Sequence, residues 1–102
     1  MADTYGGYPQ SAVNNAKRGI KLNEEQGNKC ATLVGKNRAK DIVAKRPFSL
    51  SVLKRVYSYL SRAKEYYKPS DDEACGTISY LLWGGESMRT WSKKKLEHLK
   101  PE

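Results

Sequence analysis

The sequence predicts an all-α single domain of four or five short helices, with a middle that allows a helix-turn-helix arrangement. Three observations lead there. Val52, Leu53, Val56, Tyr59, Leu60 and Ala63 recur at spacings of three and four, the period of one buried helical face. Ser70 and Glu73 stand as a capping box ahead of Ala74, Ile78, Leu81 and Leu82, which share a face, and Gly84-Gly85 frees the backbone to end that helix. β-branched residues are few and none alternate with polar ones, so no strand is expected.

Taken in order, residues 1–8 are small, polar and Gly-containing, and are expected to form a flexible or docking arm. A helical domain spans 9–99 and a short tail 100–102. The first helix runs from Pro9 to Glu25 with Val13, Ala16 and Ile20 on one face, and Gly27-Asn28 ends it. Gly19 lies inside it at a cost of about 1 kcal/mol against Ala, which implies close approach by another helix. The second helix covers about Ala31 or Thr32 to Lys45, with Ala31, Gly35, Ala39 and Ile42 or Val43 facing inward and Pro47 as its stop. Ser49 caps the third helix, Leu50 to about Tyr67. Trp83 is expected to bury against the first or last helix. That last helix covers Ser87 to Leu99, with Met88, Trp91, Leu96 and Leu99 inward.

A chain of 102 residues that is 38% hydrophobic supports one modest core, to which ten aromatics bring large area per side chain. No apolar run approaches the roughly 20 residues of a membrane span, so no membrane partner is expected. The first ten residues lack the basic head and apolar stretch of a signal peptide, so the expected compartment is cytosolic. There Cys30 and Cys75 are expected to remain thiols packed as small apolar side chains, although one disulfide between them is open.

Charge is unevenly placed. Net charge is +8 overall, yet residues 17–68 alone hold 14 basic and 4 acidic residues, and the segment that follows is acidic. Such a concentration fits a surface that meets a polyanion, or a merely solvated one. Lys36, Arg38, Lys40, Lys45, Arg46, Lys54 and Arg55, on the second and third helices, are the expected contacts to nucleic-acid phosphates. Asn37 lies near the same turn. Arg38 and Arg62 have competing partners within the fold in Asp41 and Glu65.

Catalysis is not expected. His98 is the only histidine and sits in a Lys-rich stretch, Asp71, Asp72 and Glu73 are explained as acids in the first turn of a helix, and no Walker loop is present. No metal or other cofactor is expected.

The segments A-K-R-G-I (Ala16 to Ile20), T-L-V-G-K-N-R-A-K-D-I (Thr32 to Ile42), S-L-S-V-L-K-R-V-x-S-Y (Ser49 to Tyr59) and G-T-I-S-Y-L-L-W-G-G-E (Gly76 to Glu86), followed by Trp91, resemble a small helical module of tailed bacteriophages. Similar segments occur alone or attached to head-maturation protease and other head-gene products. The resemblance implies a phage-encoded accessory protein in the host cytoplasm or packaged in the virion. The basic surface would then meet nucleic acid or an acidic protein surface such as a head component. It carries over no catalytic or binding residue, and where similar segments have His-Glu after the arginine this chain has Ala63-Lys64.

Overall fold

Residues 4–68, 70, 71 and 74–99 are described by the computed structural model, the Leu99 side chain excepted, and five α-helices account for most of them. Helix α1 (Gln10–Glu25) buries Ala12, Val13, Ala16, Gly19 and Asn23, a row at spacings of one, three and four. It ends in a paired cap: Gly27, at φ 70°, donates its N–H to the Glu24 carbonyl, and Asn28 donates to Asn23. Helix α2 (Leu33–Val43) starts on Thr32, whose Oγ1 accepts the Gly35 N–H at 3.1 Å, and buries Gly35, Ala39 and Ile42.

Helix α2 stops before Pro47 can stop it. Lys45 takes the left-handed conformation at φ 58° and donates to the Ile42 carbonyl, while Arg46 donates to Asp41, the same cap that glycine provides at the end of α1. The Tyr8 hydroxyl adds a third donor at this end, 2.8 Å from the Arg46 carbonyl.

The expectation of no strand needs correction, and of the two alternatives for the N-terminal arm, flexible or docking, residues 4–8 take the docked one. Thr4–Tyr5 (β1) pairs antiparallel with Phe48–Ser49 (β2), Thr4 opposite Ser49 and Tyr5 opposite Phe48. Tyr8 is buried, stacked on Phe48 at 5.2 Å and edge-on to Trp91 at 5.5 Å. The two tyrosines of this segment supply apolar area that its small polar neighbours conceal. Residues 1–3 and 100–102 lie outside the described residues.

Helix α3 (Leu50–Ala63) is capped as expected by Ser49, whose Oγ accepts the Val52 N–H at 3.3 Å. Leu53, Val56 and Leu60 are fully buried, with Val52, Tyr59 and Ala63 flanking them against the core. A 3-10 turn over Lys64–Tyr66 continues it. Helix α4 (Cys75–Leu82) begins five residues beyond Ser70, too far for Ser70 to cap it; Glu73 lies outside the described residues. Thr77 fixes this end instead, its Oγ1 donating to the Lys68 carbonyl and accepting the Lys68 N–H, both at 3.0 Å.

Gly84 and Gly85 both lie at positive φ, 103° and 67°, and helix α5 (Gly85–Leu99) starts at once. Met88 and Ser92 are fully buried, and Trp91 and Leu96 pack against the core. Trp83 is buried, and it stacks on Tyr59 of α3 at 4.2 Å. Gly35 of α2 leaves it room, since a Cβ there would stand 3.4 Å from its Nε1.

Helix α1 packs on α4 and α2, and α3 packs on α5. Helices α2 and α3 follow one another across a short turn, as in a helix-turn-helix, but each rests mainly on another helix. Gly19 is where α1 meets α4, because a Cβ there would fall 2.7 Å from the Leu82 nitrogen.

The cysteines form a disulfide, Cys30–Cys75, across a sequence separation of 45, and Cys75 is exposed rather than packed in the core. Cys30 is carried to α4 by its own backbone: its N–H donates to Asn23 Oδ1 at 3.0 Å, and its carbonyl accepts from Ser79 Oγ at 2.8 Å.

Reduction should cost about 4 kcal/mol through the entropy of the opened loop, with the helical spectrum retained. Urea melts with and without reductant measure this. Alkali should act separately. Burial, then the Asp41 charge, push the Tyr8 phenol up to about 12 from 10.0. Burial, then the Glu86 carboxylate that accepts its hydroxyl at 2.6 Å, raise Tyr80. A phenol raised in the folded state contributes stability that is whole below the unfolded value and lost as pH rises through the folded one. Stability should therefore hold to about pH 10 and fall above it, with Tyr8→Phe removing part of that fall in urea midpoints taken across pH.

Candidate nucleic-acid interface

Helix α2 presents its basic residues on two flanks. With Gly35, Ala39 and Ile42 buried, the helical repeat of about 100° per residue puts Lys36 and Lys40 on one side of that row and Arg38 and Asp41 on the other. Lys36 and Lys40, one turn apart, face α1 across a cavity of about 250 Å³ that Ile20, Asn23, Glu24, Asn28 and Leu82 also line.

Arg38 is drawn into the fold. Its side chain keeps only 13% of its accessibility and lies 3.6 Å from the Asp41 carboxylate. The guanidinium stands 5.5 Å from the Trp83 ring and 6.0 Å from that of Phe48, within reach of both π faces. Its Nε is buried with no partner among the described residues. Burial lowers the Arg38 pKa, Asp41 opposes that, and the charge of Arg55 adds to it. Arg38 thus bridges the aromatic residues of α4 and β2 and is not available to phosphate. This corrects one of the seven expected contacts.

The other six do not converge on one surface either. Lys45 and Arg46 are exposed at the C-terminal end of α2, where the helix dipole favours cations. Arg46 shares Asp41 with Arg38, at 3.7 Å. Arg55 lies close enough to Arg38 to feel its charge. Lys54 is exposed on the other flank of α3, the one whose Tyr57 ring faces Arg89 of α5 at 5.9 Å. The structure therefore offers a pair on the α1 side (Lys36, Lys40), a cluster around the end of α2 (Lys45, Arg46, Arg55) and Lys54 apart from both. Asn37 is exposed on the outer face of α2. Arg62 spends one N–H on Ser58 Oγ at 3.1 Å, rather than on Glu65.

Residue types alone did not single out Asn23, Glu24, Ile20 and Leu82 as neighbours of the lysine pair. The one available signal is Asn23, a polar residue on the buried row of α1. Elsewhere His98 is exposed near Trp91, Lys94 and Lys95. Asp71 sits in a turn before α4, its N–H on the Lys68 carbonyl, and the first turn of α4 holds no acid. Asp72 and Glu73 fall outside the described residues. Among the described residues no cluster of His, Cys, Asp and Glu could hold a metal, and no helix is long and apolar enough to cross a membrane.

Comparison with protein-family models, with curated proteins and with solved structures returned no match.

If Arg38 is structural, Arg38→Ala should destabilise the protein by about 2 kcal/mol, from lost packing and ring contacts, with Asp41 left to Arg46 alone. Lys36→Ala should change stability by less than about 0.5 kcal/mol, as surface changes do. Chemical denaturation of the two variants measures the contrast.

Proposed function

We propose that this is a non-enzymatic accessory protein of bacteriophage type that binds nucleic-acid backbone through basic residues of α2 and α3. The observation that supports it most is solvent-facing positive charge with little internal use, with Lys36 half-buried and the others exposed. Lys36, Lys40, Lys45, Lys54 and Arg55 make no ion pair among the described residues, and Arg46 shares its only one with Arg38. Cations so placed neutralise phosphates by releasing counterions, and that term dominates nonspecific affinity. The reading keeps Lys36, Lys40, Lys45, Arg46, Lys54 and Arg55 as contacts and gives up Arg38.

A second reading makes the protein a head-associated structural or host-interaction module with an acidic protein partner. Two observations favour it. Leu33 and Val34 are 73% and 51% exposed on the first turn of α2, beside the basic flanks. The disulfide also fits a protein packaged in a particle, because disulfides persist at virion surfaces and are rare in a reducing cytoplasm.

Titration of labelled duplex and single strands decides between them. Wild-type affinity should fall by about 10³ between 50 and 200 mM salt if six phosphates are engaged. Replacing Lys36, Lys40 and Lys54 together by Glu should leave the helical spectrum intact, weaken binding at least about tenfold and flatten the salt slope by up to about three. Absence of binding at low salt would transfer the basic surface to a protein partner, and mass spectrometry of purified particles would then be the next measurement.

A further inference from the structure

We propose that the cavity between α1 and α2 receives one unstacked base of a single strand, with the adjoining phosphates on Lys36 and Lys40. This rests on the backbone-binding reading and adds a preference that reading does not contain, for single strands over duplex.

The cavity measures about 250 Å³, below the roughly 300–1,000 Å³ of sites for drug-sized ligands, and so fits one flat ring system rather than a whole nucleotide. Ile20 and Leu82 give it apolar walls for the faces of a ring. Two polar side chains are set for an edge. Asn23 is only 3% exposed, its Oδ1 is taken by the Cys30 N–H, and its Nδ2 makes one long contact, 3.4 Å to Asn28 Oδ1. That leaves an amide N–H to donate. Glu24, exposed on the rim, makes no ion pair among the described residues and can accept.

A donor beside an acceptor matches the hydrogen-bonding edges of a nucleobase, which are open for reading only when the base is out of a helix. Lys36 and Lys40 complete the arrangement. They stand one turn, about 6 Å, apart along α2 and line the same opening, so a backbone running along α2 meets both while its base turns inward. The carboxylate of Glu24 argues against a compact polyanion buried in the cavity itself. A duplex cannot deliver a base here without the cost of flipping it, whereas a single strand can.

The test needs no change to the protein at first. Fluorescence anisotropy at low salt compares a short labelled single strand, an abasic strand of equal length and charge, and a duplex. The intact strand should bind at least about tenfold more tightly than the abasic one, the loss expected for one well-held base. Equal affinity for intact and abasic strands overturns the base site and leaves the backbone reading standing. No binding of any strand at low salt overturns both. Ile20→Trp, which fills the cavity, supplies the second arm, with circular dichroism and a thermal melt to establish that it folds. A folded Ile20→Trp protein should bind the intact strand only as well as the abasic one. If it still tells the two strands apart as the wild type does, the base lies elsewhere and the proposal fails.

Discussion

The rest of the structure depends on the contact between α1 and α4, which is made backbone to backbone. Gly19 has no Cβ, and one placed there would lie 2.7 Å from the Leu82 nitrogen and 3.1 Å from its Cα. One turn earlier, Asn15 Nδ2 donates to the Gly84 carbonyl at 3.0 Å, and a Cβ on Gly85 would strike that same amide at 2.6 Å. One turn later, Asn23 Oδ1 receives the Cys30 N–H. Positions 15, 19 and 23 thus form one stripe along α1. It holds the α4–α5 turn, admits the α4 backbone and positions the α1–α2 link. Ordinary apolar packing at these positions would keep the helices farther apart. The walls of the α1–α2 cavity, Ile20 and Leu82, are the immediate neighbours of that approach.

Around the other side of α2 the organising group is a cation. Arg38 joins a continuous run of flat groups: Tyr59 on Trp83, Arg38 over Trp83 and Phe48, Phe48 on Tyr8, Tyr8 against Trp91. A guanidinium tolerates this setting better than an ammonium. It is planar, weakly hydrated and stacks on rings, while Asp41 supplies the opposing charge at one edge. The run connects α2, α3, α5, β2 and the N-terminal segment to Trp83 at the end of α4, and supplies much of the burial of Trp83. It also shows why net charge overstates the polyanion-facing surface. A residue counted as a surface cation from sequence is here half-buried against aromatic rings.

Much of the fold was legible because it is local. The Val52–Ala63 stripe, the Ser49 cap, the Gly27 stop and the glycine pair after Trp83 each follow from residues within a few positions of one another. What was not legible needed partners distant in sequence. The Ser70–Glu73 spacing is a capping signature, yet α4 begins at Cys75 because Thr77 ties its start to Lys68. Composition left the N-terminal arm open between flexible and docking, because Tyr5 and Tyr8 meet Phe48 only across the whole length of α1 and α2. Lys45 gives no sign of a left-handed cap, since its neighbours and not its own side chain force that conformation. For the site, residue type picked out Lys36 and Lys40, but only the α1–α2 packing places an amide, a carboxylate and apolar walls beside them.

The disulfide shows how such distant partners are held. Cys30 is fixed three times over, by Asn23 Oδ1 on its N–H, by Ser79 Oγ on its carbonyl and by the bond to Cys75. Neither hydrogen bond involves a sulfur, so the α1–α2 link has two ties that do not depend on the bridge. Its contribution falls instead on the unfolded chain, where joining residues 45 apart removes conformations that folding would otherwise have to exclude. This separates stability from geometry. The Asn23 wall of the cavity should keep its shape whether or not the bridge is closed, while the protein's resistance to unfolding changes with the redox state of its surroundings.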